Sequence, residues 1–252
     1  MNKIDSYREV LRGLVDWDAY LWQESHLPGP RSNLELAQAV ADEGSPALFE
    51  RYIAMDSLQA PANTPGEFLA VCGAIGLGRL VVEGRLEMLP VLRRLASDPR
   101  WRMREGVAMA LQRVGDNNMA LLLEEMQRWS TGNCLEQRAA AAALCEPRLL
   151  KNPGHTRRVL AILDAITASI APLSAAERRA EPFQALRKGL GYCWSVATAA
   201  LPAEGRAFME RWFRSEDKDI RWILKENLKK DRLARMDAAW VKQWQAYYLQ
   251  QP

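Results

Sequence analysis

The chain has 252 residues, 48% of them hydrophobic and 26% charged, with a formal net charge of +3. That composition is that of an ordinary globular protein and excludes a disordered, collagenous or disulfide-dense chain. The charge is unevenly spread: residues 1–78 hold 5 basic and 11 acidic side chains, net −6, and residues 79–252 hold 29 and 20, net +9. Such a balance permits an anionic partner without requiring one.

The N-terminal stretch "MNKIDSYREVLRGLVDW" carries acids and no signal-peptide core, so a cytoplasmic protein is expected. No apolar run reads as a bilayer span, and no membrane association is expected. Asp16 and Asp18 flank Trp17 where a helix should begin, and helix-dipole electrostatics accounts for acids there. "SHLPGPRSNLELAQAVADEG" (25–44) follows. Proline at 28 and 30 ends one helix. Ser32, with Glu35 three residues on, should cap the next in a capping box. Arg31 sits just before that helix start, where the dipole favours an anion. It is expected to pair with Asp16, Asp18 or Glu24.

Helical periodicity continues along the chain, and no segment alternates long enough for a strand. "LELAQAVA" sets Leu34, Ala37, Val40 and Ala41 on one face, and "MLPVLRRLA" does the same with Met88, Val91, Leu92 and Leu95. In "ALLLEEMQRW", Leu122, Met126 and Trp129 form a stripe. Ser45-Pro46, Thr64-Pro65, Asp98-Pro99 and Asn152-Pro153 each offer a capping oxygen followed by proline at the first helical position. Thr64/Glu67 and Ser174/Glu177 fit the capping box. With breaks near Gly84, Gly115, Gly132, Pro147 and Pro202, these signals predict about a dozen helices joined by short connections.

Two glycine- and alanine-rich stretches, "LAVCGAIGLG" (69–78) and "GLGYCWSVATAA" (189–200), read as buried helices whose neighbours approach closely. Gly73, Gly76 and Gly78 run G-x-x-G-x-G, the reverse of the dinucleotide fingerprint, with no strand before them. His26 and His155 lack a second ligand at metal spacing, and the four cysteines form no C-x-x-C pair. No cofactor, metal site or nucleophile signature is expected.

Three segments repeat one another. "SDPRWRMREGVAMAL" (97–111) aligns with "RSEDKDIRWILKENL" (214–228), matching Met103-Arg104 to Ile220-Arg221, Val107 to Leu224 and Leu111 to Leu228. "CLEQRAAAAAL" (134–144) is a looser copy with Arg138 in the arginine place. A polar turn, an apolar residue plus arginine, then a small-residue helix resembles HEAT repeats, units of ~40–47 residues built from paired helices. "LPGPRSNLEL" is similar to stretches of HEAT-repeat proteins of an uncharacterised bacterial type. The resemblance implies an all-α fold, a HEAT-like α-α superhelix built as a solenoid of antiparallel helix pairs. Its organisation is expected to be an acidic N-terminal cap at 1–63, repeats at 64–236 and a C-terminal capping helix at 237–252. Trp240, Trp244 and Tyr247 would form that last helix's docking stripe, a dimer surface being the other reading.

The expected function is a non-enzymatic interaction or scaffold module that offers a concave helical surface to a protein partner, as a monomer or weak homodimer. Candidate binding residues are Trp101, Arg102, Arg104, Arg138, Arg221, Trp222, Lys225 and Lys229, with Lys225 and Lys229 forming a basic edge. The alternative is nucleic-acid binding. Trp101 and Glu105, one turn apart, resemble the tryptophan and catalytic acid of the HEAT-like alkylpurine DNA glycosylases, although this acid is Glu where that family has Asp. That resemblance implies Glu105 as the acid, Trp222 as a second aromatic wall and Arg104 or Arg138 as phosphate contacts.

Overall fold

A computed structural model describes residues 2–250. Among the described residues there are sixteen α-helices, one short 3₁₀ turn at Pro147–Leu149 and no strand. The all-α expectation is met. The chain divides into two compact units, Met1–Asn118 and Met119–Pro252.

The first unit holds α1 (Lys3–Gly13), α2 (Asp18–Glu24), α3 (Leu34–Glu43), α4 (Pro46–Ile53), α5 (Pro65–Val82), α6 (Met88–Leu95) and α7 (Trp101–Asn117). Helix α5 lies at its centre, against α2, α3, α4, α6 and α7. It is long and apolar enough to cross a membrane by length and composition, but 83% of that stretch is buried inside the protein. A helix hydrophobic all round is a core helix when other helices surround it.

The second unit holds α8 (Met119–Trp129), α9 (Cys134–Leu144), α10 (Pro153–Ala168), α11 (Ala175–Arg179), α12 (Glu181–Ala200), α13 (Pro202–Phe213), α14 (Lys218–Leu228), α15 (Asp231–Met236) and α16 (Ala238–Leu249). Here α9, α12 and α14 form one row, while α8, α10 and α13 lie against them in a second. In α16 the buried side chains are Trp240, Val241, Trp244 and Tyr248, not Tyr247. The Trp244 ring stacks on Phe213 of α13 with centroids 4.3 Å apart.

The local grammar of helix starts holds at Ser45, Thr64, Asn152 and Ser174, each of which accepts a backbone N–H. Two starts differ, and the Thr64 start lacks the return half of its box. Asn33, not Ser32, caps α3, accepting from the Leu36 N–H while its amide donates to the Tyr7 hydroxyl and the Glu24 carbonyl. An amide can accept and donate at once, which one hydroxyl cannot match. Asp98 does not cap α7: its Oδ1 accepts the Arg100 N–H at 2.8 Å, its two oxygens hold the Arg100 guanidinium at 2.9 and 2.7 Å, and α7 starts only at Trp101. Glu67 turns back to the Asn63 N–H rather than to that of Thr64. Gly115 breaks nothing, since α7 runs on to Asn117. Gly84 does end α5: at φ +97° it permits the paired closing bonds from Gly84 N–H to Val81 and from Arg85 N–H to Leu80.

Candidate binding sites

In the first unit the Pro-Gly-Pro corner is held from within. Arg102 of α7 donates to the Gly29 carbonyl at 2.7 Å and to Glu67 Oε2 at 3.3 Å. The Gly29 N–H in turn reaches Asn63 Oδ1 at 3.0 Å. Glu67 is fully buried, and the Arg102 side chain is 7% exposed. The neighbouring Trp101 is 50% exposed, with the Arg102 guanidinium 4.6 Å from its ring centroid.

Arg104 is buried and donates to the carbonyls of Asp98 and Pro99 at 2.9 and 3.3 Å. Arg100, in the same Arg-Trp-Arg run, is 3% exposed and donates to the carbonyls of Met55, Asp56 and Ala60. These arginines satisfy chain carbonyls at loops. Sequence spacing shows the arginines and not the distant oxygens they serve.

Trp101 and Glu105 share a cavity of about 200 Å³ with Arg31, Arg102, Val71 and Met109. Glu105 is itself engaged by a partner. Arg31 pairs with none of the acids expected for it. Asp18 instead holds Arg51 and accepts from the Tyr52 hydroxyl at 2.6 Å. The Arg51 hydrogen bond, with that of Tyr52, keeps the Asp18 carboxyl below its usual range against the opposing effect of burial.

In the second unit α12 and α14 open a cleft of about 520 Å³. The Arg187 guanidinium lies 3.8 Å from the Trp222 ring centroid and pairs with Asp219 at 2.9 Å. Asp219 also receives Arg178 at 2.9 Å, and Arg178 joins Asp217 at 2.6 Å. Burial raises the Asp217 carboxyl, but Arg178 and the Ile220 and Asp219 amides outweigh it and hold it low. The carboxylates raise Arg178 beyond its ordinary value.

Arg221, Lys218 and Lys225 line the same cleft. Arg221 and Lys225 approach the Tyr248 ring at 5.6 and 5.1 Å. Among the described residues Lys218 and Lys225 have no carboxylate partner. Lys229 is spent on Glu226 and does not line the cleft with Lys225. Arg138 of α9 lies along α12, its Cγ 3.4 Å from where a Cβ on Gly189 would stand. The structure thus brings Arg221, Trp222 and Lys225 together in one unit, and Trp101, Arg102 and Glu105 in the other.

No family model matches the chain, and no curated protein matches it. One solved structure, the crystal structure of an engineered protein, is similar over 94% of this chain and 98% of its own at 15% identity. Its TM-score of 0.35 is too low to carry an argument about fold or function.

Proposed function

We propose that this chain is a non-enzymatic interaction module of HEAT-like, α-solenoid type, and that its second unit takes an acidic segment of a protein partner in the α12–α14 cleft. The fold part of the reading draws support from the paired rows within the second unit and from the shared burial of the repeat copies. Met103 and Ile220, Val107 and Leu224, Leu111 and Leu228 are all core residues. The binding part rests on one observation: Trp222 carries Arg187 on its face, with Lys218 and Lys225 around it and without carboxylate partners among the described residues. An aromatic platform ringed by cations suits a carboxylate-rich peptide with an apolar anchor.

Glu216 and Asp219 interrupt that ring, which disfavours a duplex, whose affinity grows with each phosphate neutralised. In the first unit Arg104 is buried against protein carbonyls and both terminal nitrogens of Arg102 are committed, so neither presents an exposed cation to a phosphate backbone. The shared cavity of Trp101 and Glu105 is the observation that favours the alkylbase-excising alternative.

Titrating the whole chain with a fluorescent Asp/Glu-rich peptide bearing one leucine, and separately with duplex DNA, over a salt series tests both. The expected result is peptide binding that Lys218→Glu with Lys225→Glu weakens by about tenfold or more. Tighter binding of duplex, with affinity falling steeply as salt rises, would move the protein to the nucleic-acid reading. Absence of peptide binding at millimolar concentration would overturn the proposal.

A further inference from the structure

The cavity beneath the Pro-Gly-Pro corner has the chemistry of a carboxylate site, independent of the cleft in the second unit. Its apolar wall is the half-exposed ring of Trp101 together with Val71 and Met109. Its polar end carries two guanidinium groups. Arg102 has both terminal nitrogens committed, to Glu67 and Gly29, but its Nε–H is buried with no acceptor. Arg31 lines the same cavity, is exposed and has no hydrogen bond or ion pair among the described residues.

A buried N–H without an acceptor is an unmet demand for an oxygen. A carboxylate is the group that two guanidinium donors hold best, through charge-assisted bonds. The Arg102 charge is balanced by Glu67, whereas Arg31 makes no ion pair among the described residues. Glu105 on the lining opposes a second negative charge, so phosphate and polyanions fit badly. At about 200 Å³ the cavity is smaller than the ~300–1,000 Å³ of sites for drug-sized ligands, which limits the occupant to about one ring.

We infer that this cavity binds a monocarboxylate with a compact apolar body, its carboxylate shared between Arg31 and the Arg102 Nε–H and its body against Trp101. A free aromatic acid and the carboxy-terminal residue of a peptide both present this chemistry.

Calorimetric titration of the whole chain separates the sources. The probes are phenylacetate, phenylacetamide and a short peptide ending in phenylalanine, with its terminus free or amidated. The free carboxylate of at least one source binds, and the matching amide binds about tenfold more weakly or not at all. Binding by phenylacetate alone assigns the site to small acids, and binding by the peptide alone assigns it to chain termini. Arg31→Ala, at an exposed position, lowers carboxylate affinity about tenfold while the thermal midpoint stays unchanged, and Arg31→Gln does the same. Equal binding of acid and amide, no carboxylate binding at millimolar concentration, or unchanged affinity in both Arg31 variants would overturn the assignment.

Discussion

Arg102 and Glu67 form a buried ion pair at 3.3 Å, and the same guanidinium closes the Pro-Gly-Pro corner through the Gly29 carbonyl 73 residues away. Three pieces of the first unit meet there: the corner, the start of α5 and the start of α7.

The pair is incompletely satisfied, since Glu67 Oε1 and Arg102 Nε have no partner within the protein. Removing one member strands the charge of the other, so the two losses should not add. Glu67→Leu leaves a buried guanidinium uncompensated and is expected to lower stability by about 3–5 kcal/mol. Glu67→Leu combined with Arg102→Met should be less destabilising than the sum of the two single changes. Urea midpoints of the four proteins in this cycle measure the coupling.

Asn227 ties α14 to α12. Its Oδ1 accepts the Ser195 N–H at 2.7 Å, and its Nδ2 donates to the Leu190 carbonyl at 2.8 Å and the Ile223 carbonyl at 2.7 Å. The residue is completely buried. Asn227→Ala strands several polar groups, each worth ~1–3 kcal/mol, so a loss of about 3 kcal/mol is expected. Asn227→Asp should also destabilise, because a carboxylate oxygen cannot donate to either carbonyl. Urea unfolding gives the loss, and faster hydrogen exchange at the Ser195 amide localises it.

Stability should fall in acid. The Glu43 carboxyl is held below its ordinary value, chiefly by hydrogen bonds from Arg12 and Arg8 that outweigh its burial. Asp18 and Asp217 are lowered by Arg51 and Arg178. A carboxyl with a depressed folded value contributes fully above its unfolded value, about pH 4, and loses that contribution as pH drops through the lowered one. The thermal midpoint should hold steady above about pH 4 and decline below it. Glu43→Gln should lower the midpoint at neutral pH and shrink the decline, so that variant and parent converge in strong acid. Melting curves across the pH range check both limbs.

Much of the fold was legible because its signals are local. Ser45, Thr64, Asn152 and Ser174 cap helices within three residues of themselves, so spacing alone finds them. Asp98 misled because its carboxylate answers Arg100, whose own position is fixed by carbonyls about 40 residues away. Arg31 misled for the same reason: Arg51 of α4 takes the Asp18 expected for it, 33 residues apart in sequence. Asn227 lies inside the 214–228 repeat copy but at none of its matched positions, and only the approach of α12 makes it a junction. In the candidate sites, residue types were legible and partners were not. Arg187 stacks on Trp222 although nothing in the spacing of 187 and 222 announces it.

The glycines of α5 give the sharpest test of the packing. A Cβ on Gly78 would stand 2.5 Å from the Ala110 carbonyl oxygen and 2.6 Å from its Cα, both backbone atoms of α7. Backbone in a packed helix cannot swing aside as a side-chain tip can, so α5 and α7 would have to separate. Overpacking typically costs ~1–3 kcal/mol, and the ~1 kcal/mol gained by replacing glycine in a helix offsets only part of a clash this hard. Gly78→Ala is expected to destabilise by about 2 kcal/mol or more. Gly13, at the end of α1, has nothing within 4 Å of its Cβ position. Gly13→Ala should therefore be neutral or stabilising by up to ~1 kcal/mol. Thermal midpoints that move in opposite directions for these two substitutions would establish that close approach of α5 to α7 is what Gly78 serves; a neutral Gly78→Ala would refute it.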